Sequence, residues 1–295
     1  MTNVSSNGLL DKLLNGDIEL LSHEDRTFLA ENRQEIIKHL ITIFSEEIPS
    51  LSEEGKCPNP TALFWGFKLA GFLEATETFE WIRKTCYIPE EILDQTLGYE
   101  FISEELPHLL ADTMNQWSEL KIEIEDSTLD EFIRSACVNA LVFSVAKGRI
   151  ERLTITDYFK SLFNRLLNGE LEDEEFFTHL VTSCSDLWPG ECLEEIREAF
   201  GLNLIDETDI DLSYVLEHFT LGKEHCIQRL QKEIKEHSFW EELESYPESS
   251  EENHFPKWDK LFQVFDEAEK EANEALEKNT ANVTQKNLQR NHLQA

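Results

Sequence analysis

Three residues at helical spacing could build a polar site, namely Glu105, His108 and Asp112. Asp112 follows His108 by four positions, so on a helix its carboxylate could orient the imidazole for acid–base chemistry. Glu105-x-x-His108 is also half of a di-iron pattern, which needs a second such motif on a facing helix. The second copy, Glu251-x-x-His254, lies in an acidic stretch that breaks helices. We therefore expect no metal and no cofactor, and retain the trio only as the site of an alternative function, a helical-repeat lyase or hydrolase.

The remaining histidines and cysteines form no pattern of known chemistry. His218, His225, Cys226 and His237 make a loose cluster that Gly222 interrupts. The six cysteines lack the paired spacing of a structural zinc site and are expected to be reduced core thiols. No glycine-rich phosphate loop, serine nucleophile elbow or zinc-protease motif occurs. The sequence therefore predicts no catalytic residue.

The charge balance restricts the class of partner. The chain has 26 Lys and Arg against 60 Asp and Glu, a net charge of −34. This charge repels nucleic acid and anionic membrane surfaces, while it favours solubility or attraction to a basic protein or peptide. No apolar run approaches the roughly 18 residues of a membrane span, and no signal peptide is visible. We expect a cytoplasmic protein, with secretion as a bacterial effector as the alternative. The oligomeric state is open.

The elements that must position these residues are helices. Glycine and proline are few, strand patterns are almost absent, and short apolar helices alternate with polar breaks. Paired helices recur with a period in the high thirties, which is typical of an all-α HEAT- or armadillo-like solenoid of stacked hairpins. A helix is predicted over 23–48, followed by a loop over 49–60. The predicted regions are an N-terminal helical cap and loop (1–60), a HEAT-like repeat domain (61–240), an acidic linker (241–256), an amphipathic helix (257–278) and a disordered tail (279–295).

One segment makes the repeat prediction specific. The residues that carry the repeat pattern are Asp130, Ile133, Arg134, Ala140 and Leu141. Small residues let neighbouring helices approach closely, while Phe132 and Leu141 are expected to fill the core. Arg134 could pair with Asp130 four residues earlier or reach the next repeat. Gly148 stands where a C-terminal cap would end this helix.

Residues 34–232 resemble an uncharacterised bacterial family of HEAT-like repeat proteins, a domain of unknown function. The resemblance rests on packing residues: Thr61 to Phe64 with Ala70 to Phe72, Gly98 to Ala111, Asp130 to Leu141 with Gly148 to Ile150, and Asp157 to Phe159 with Leu162 and Phe163. It implies the fold and says almost nothing of function. Many relatives end in a Cys-rich zinc motif of the kind found at the end of SecA. Residues 276–295 contain no cysteine, so no zinc site or SecB-like docking role is carried over.

The aromatic residues indicate where a partner could bind. Trp188 lies at a helix junction next to Pro189 and is expected to be partly exposed. Trp258, Phe262 and Phe265 share one face of the predicted C-terminal helix, which either docks on the repeats as a cap or anchors a partner. The leading interpretation is a non-enzymatic scaffold that binds a protein or peptide partner, with a basic partner favoured by charge.

Overall fold

A computed structural model describes residues 23–236 together with Leu10 and Leu14. The chain divides into two compact units, residues 1–245 and 246–295, and every structural statement below concerns the first unit. The predictions for 241–256, 257–278 and 279–295, including those for Trp258, Phe262 and Phe265, lie outside the described residues.

The described part of the chain is all-α, with no strand between residues 23 and 236. The α-helices in chain order are α1 (His23–Glu31), α2 (Arg33–Glu54), α3 (Pro60–Phe72), α4 (Phe79–Lys84), α5 (Glu90–Leu97), α6 (Leu106–Thr113), α7 (Lys121–Glu125), α8 (Glu131–Ala146), α9 (Arg152–Leu167), α10 (Glu174–Asp186), α11 (Leu193–Gly201), α12 (Leu212–Leu221) and α13 (Lys223–Glu236). A π-helical turn, Phe101–Glu105, leads directly into α6, and short 3₁₀ turns join several of the other helices.

The helices contact one another in sequence order. Helix α3 packs on α6, α6 on α8, α8 on α10, and α10 on α12, while α9 packs on α11 beside this row. Helix α8 lies at the centre, because α7 and α13 also pack against it. This order of contacts is compatible with the predicted stacking of helical pairs. The C-terminal end of α8 lies close to α6 and α13, because Lys147 pairs with Asp112 and the Gln231 side chain donates to Ala146 O.

The N-terminal helix differs from the prediction of one helix over 23–48. It breaks at Asn32, whose side-chain amide donates a hydrogen bond to the carbonyl of Phe28 at 2.8 Å. An asparagine side chain that bonds the local backbone competes with the helix ladder. The second piece continues past Pro49 into the predicted loop and ends at Gly55, which adopts φ +63°. Leu51 is fully buried, so its packing offsets the hydrogen bond that Pro49 cannot donate.

Helix α8 contains the predicted repeat motif. Asp130 caps its first turn by accepting a hydrogen bond from the Phe132 amide at 2.9 Å. The prediction that Gly148 follows the end of this helix is confirmed, since Gly148 has φ +71° and its amide donates to Val145 O at 2.9 Å. The expectation that Phe132 fills the core is wrong. Its side chain is 44% exposed, because the buried stripe of α8 runs through Ile133 and the small residues after it.

Candidate functional site

A cleft of about 290 Å³ opens where α3, the π-helical turn, α6, α8 and α13 meet. We call it the α3–α6 cleft. Most of its wall is apolar, and four phenylalanines form its largest part. The lining residues are Phe64, Phe67, Lys68, Gly71, Phe72, Phe101, Glu105, His108, Leu109, Asp112, Lys147, Ile234 and Lys235. The structure thus brings the whole sequence-predicted trio, Glu105, His108 and Asp112, into one cleft.

The carboxylates of the trio are held by ion pairs. Glu105 Oε1 accepts a short hydrogen bond from Lys68 Nζ. Asp112 Oδ1 accepts from Lys147 Nζ at 2.5 Å and lies 3.1 Å from an Arg149 nitrogen. Burial raises the pKa of Asp112 above its ordinary value, although Lys147 and Arg149 act in the opposite direction. Lysine contacts therefore fix both carboxylates in place.

The imidazole of His108 is positioned by stacking. Its ring lies 4.2 Å from the ring of Phe143, centroid to centroid, at an interplanar angle of 19°. Phe143 belongs to α8, so this contact joins α6 to α8 near the cleft.

Two polar residues near the trio in sequence or on α8 do not belong to the cleft lining. Glu104, one residue before Glu105, is exposed. Arg134 does not line the cleft, because its side chain lies at the opposite end of α8.

Gly71 forms a small-residue section of the cleft wall. A Cβ placed there would come 3.8 Å from a Leu109 methyl group and 3.9 Å from Asp112 Oδ2, both ordinary van der Waals separations. Asp112 Oδ2 therefore faces this wall, while Oδ1 faces Lys147 and Arg149. The backbone at Gly71 can therefore carry a Cβ, and a longer side chain there would extend beside Leu109 and Asp112 of the cleft lining.

A family model described as "Protein of unknown function (DUF1186)" matches residues 9–249. The chain belongs to this family. The match includes every residue of the α3–α6 cleft. Neither the search of curated proteins nor the search of solved structures found a significant match.

Trp188 of this DUF1186 protein is half-buried and engaged within the fold. Its ring stacks on Phe219 at 5.5 Å, and its indole nitrogen donates a hydrogen bond to Phe219 O at 3.1 Å. The backbone at Trp188 has φ +73°, a strained value for a bulky residue. The strain is tolerated next to Gly190, whose missing side chain leaves room for the indole. That Trp188 binds a partner stays a prediction.

The repeat-motif arginine joins two successive helices of the row. Arg134 is 2% exposed, and its guanidinium forms a short ion pair with Asp173, which caps α10. Its Nε donates to Ile124 O at 3.0 Å, and the group lies 3.8 Å from the centre of the Phe176 ring. Of the two alternatives considered for Arg134, the structure shows the contact to the next helix pair. Ile133, Ala140 and Leu141 are buried in the core.

Two histidines of the loose C-terminal cluster, His218 and His225, do not converge, and His237 lies outside the described residues. His218 is buried, with Nδ1 2.9 Å from Tyr214 O and Nε2 2.6 Å from Arg229, whereas His225 is exposed. Arg229 also pairs with Asp186 of α10, and burial raises the pKa of Asp186 from 3.8 to about 6. This cluster thus fastens α13, which carries Ile234 and Lys235 into the cleft, to α10 and α12.

No group of three or more His, Cys, Asp or Glu is placed to hold a metal ion within 23–236. Over the same residues, no helix has both the length and the apolar character that crossing a bilayer requires.

Sequence reasoning missed the lysines and most of the aromatic wall of the cleft. Lys68, Lys147 and Lys235 come from α3, the end of α8 and α13, up to 167 positions apart in the printed sequence. No local spacing connects them. The one available signal was the run from Phe64 to Phe72, in which glycine interrupts a strongly aromatic helix.

Proposed function

We propose that this DUF1186 protein is a non-enzymatic interaction module that binds a segment of a protein or peptide partner in the α3–α6 cleft. The lining of the cleft carries the proposal, since it combines a concave aromatic wall with a few paired polar groups. Binding sites are commonly concave and mostly apolar, with a small number of placed polar groups. Grooves between helices also accept the apolar side chains of an amphipathic partner helix.

The size of the cleft suits one or two apolar side chains of a partner. A cavity of 290 Å³ is small beside a drug-sized site but ample for an aromatic anchor. Full burial of one large apolar side chain contributes about 1.5–3 kcal/mol. Two such anchors supply enough binding free energy for a weak, reversible interaction, as expected of a scaffold.

The enzymatic alternative rests on the convergence of Glu105, His108 and Asp112 in the cleft. The contacts of these residues favour binding over catalysis. Asp112 Oδ1 is bonded to Lys147 and Arg149, and His108 is stacked on Phe143. The described lining residues include no serine, threonine, cysteine or tyrosine that could act as a nucleophile. The polar groups thus have the arrangement of a fixed rim around an apolar wall.

The charge of the whole chain supports a basic partner at long range. A net charge of −34 attracts cationic proteins and accelerates their encounter. A cytoplasmic location belongs to the same proposal. Its support is that all six cysteines are free and five are buried, as suits a reducing compartment.

The test fills the cleft by Gly71→Met in the full-length protein. A Cβ at this position makes only ordinary contacts, and we expect the flexible methionine side chain to occupy cleft volume. The matched control is Gly201→Met at the end of α11, where a Cβ would meet nothing within 4 Å. Both variants are compared with the wild-type chain by circular dichroism before use.

Immobilised protein captures partners from lysate at about 50 mM and about 500 mM salt, and each captured protein is purified and titrated. We expect Gly71→Met to weaken binding by about tenfold or more, equal to about 1.4 kcal/mol. Gly201→Met should bind as the wild type does. Retention of no partner at low salt, or equal binding by the Gly71→Met variant, would refute the proposal.

A further inference from the structure

The lining of the α3–α6 cleft has the opposite charge balance to the chain. Acidic residues outnumber basic ones by 60 to 26 over the whole sequence. In the cleft, the three lysines Lys68, Lys147 and Lys235 face two carboxylates, Glu105 and Asp112. A binding surface with this local excess of cations lies within a strongly anionic protein.

Both carboxylates of the cleft are already bonded to resident cations. Glu105 pairs with Lys68, and Asp112 Oδ1 takes both Lys147 and Arg149. An ammonium group has three N–H donors. Lys147 Nζ directs one of them at Asp112, so donors remain for a second acceptor. The structure therefore gives Lys147 capacity to bind an incoming oxygen.

Lys235 adds a further cation at the edge of the cleft. It is exposed in the last turn of α13, and no hydrogen bond or ion pair to its ammonium is found within residues 23–236. The neighbouring Ile234 packs against the core, which fixes the backbone from which Lys235 extends. Lys235 can thus reach an acceptor at the edge without breaking a contact of the described fold.

We infer that the partner segment bound in the α3–α6 cleft is an acidic amphipathic peptide, whose apolar anchor enters the phenylalanine wall while its flanking carboxylates bond Lys147 and Lys235. This inference rests on the proposed function and names the chemistry of its partner. A cationic segment would place like charges against the lysines and lose the hydrogen bonds that their donors offer. A neutral segment would gain the apolar contacts alone.

Attraction in the cleft and repulsion from the chain act over different distances. Exposed charges are screened beyond about 8 Å at physiological ionic strength. The repulsion between an acidic peptide and the rest of the protein is therefore weak in about 150 mM salt, whereas direct hydrogen bonds to an ammonium persist. A partner that is basic elsewhere can still present an acidic segment to this cleft.

The test uses three labelled synthetic peptides and the full-length protein. The peptides share one helical frame with Trp, Leu and Phe on a single face, and their flanking positions are all Glu, all Gln or all Lys. Fluorescence anisotropy in about 150 mM salt gives each dissociation constant. We expect the Glu peptide to bind about fivefold tighter than the Gln peptide and the Lys peptide to bind most weakly.

A charge-reversal pair separates direct contact from long-range charge. Lys235→Glu should weaken binding of the Glu peptide about fivefold or more and strengthen binding of the Lys peptide. Lys38→Glu changes the net charge equally at an exposed position of α2 that does not line the cleft. It should leave all three affinities unchanged.

The outcomes distinguish the inference from the proposed function. Equal binding of the three peptides, or tightest binding of the Lys peptide, overturns the inference while the binding function stands, provided that Gly71→Met abolishes the binding. Equal effects of Lys235→Glu and Lys38→Glu also overturn it. Failure of all three peptides to bind the folded wild-type protein counts against the cleft as a binding site altogether.

Discussion

Removing the anion that faces Arg134 should strongly destabilise the fold. The change is Asp173→Asn, which removes the carboxylate that pairs with the buried guanidinium. Arg134 is 2% exposed and directs its charge at Asp173, while its Nε bonds the Ile124 carbonyl. Asparagine is as good an N-cap as aspartate, so the cap of α10 is retained and the variant isolates the loss of charge.

The expected loss in the free energy of unfolding is about 3 kcal/mol. Breaking a buried pair by removing one partner typically costs about 3–5 kcal/mol. The lower end applies because the Asp173 side chain keeps 24% of its surface in solvent and because Arg134 retains its contacts with Ile124 O and the Phe176 ring. For a domain of this size, the midpoint of thermal unfolding should fall by about 6–12 °C.

Urea unfolding followed by circular dichroism measures this loss, with the midpoint falling and the slope unchanged. The matched control is Asp211→Asn, since Asp211 caps α12 through the Tyr214 amide at 2.9 Å and has no arginine partner among residues 23–236. Its effect should stay within about 0.5 kcal/mol. Arg134→Met should cost less than Asp173→Asn, because it removes the charge and retains apolar volume. If Asp173→Asn and Asp211→Asn prove equally mild, the pairing argument for Arg134 is refuted.

Three further predictions follow from single contacts. Burial raises the pKa of Asp186 from 3.8 to about 6, so the folded state binds this proton more tightly than the unfolded state does. The resulting stabilisation is present below pH 3.8 and is lost as the pH rises through 6. In urea titrations, the stability of the wild type relative to Asp186→Asn should fall by about 3 kcal/mol between a pH well below 3.8 and a pH well above 6. Burial and the Glu47 carboxylate raise the pKa of Cys57 to about 12, so this half-buried thiol should stay unreactive toward a disulfide reagent at about pH 8. Glu47→Gln should accelerate the reaction of Cys57 with the reagent, and an unchanged rate would contradict the role of Glu47. Gly190→Ala should cost about 1–3 kcal/mol and shift tryptophan fluorescence, because its Cβ would lie 2.2 Å from a Trp188 ring atom, whereas Gly201→Ala should be neutral.

The sequence predicted the all-α fold class and the three polar residues that α6 and the turn before it contribute to the cleft. Local periodicity contains enough information to place helices, and the spacing of Glu105, His108 and Asp112 put them on neighbouring turns that line one cleft. Helix boundaries were less accurate. The break at Asn32 depends on a side-chain hydrogen bond to Phe28, and the continuation past Pro49 depends on the burial of Leu51. Both are decided by contacts that periodicity does not describe.

The charge character of the cleft could not be read from the sequence, because it is a property of tertiary packing. A count over the chain predicts an anionic surface everywhere, whereas Lys68, Lys147 and Lys235 are gathered from three distant helices. The partner expected from net charge and the partner segment inferred from the cleft therefore differ in sign. The first concerns long-range attraction, and the second concerns the groups that a bound segment touches.

Helix α8 contributes contacts both to the stability of the fold and to the cleft. Variants that test binding must therefore leave the contacts of α8 intact. Its first turns hold Arg134 against Asp173, and the residues after its C-terminal end hold Asp112 through Lys147 and Arg149. A substitution at Lys147 would leave Asp112 with one cation fewer and disturb the packing of α6 on α8, so lost binding would be ambiguous. Gly71 and Lys235 reduce this ambiguity, because a Cβ at the first makes only ordinary van der Waals contacts and the second extends from the exposed side of α13. Changes at these two positions alter what the cleft can hold while the contacts that fold α8 stay intact.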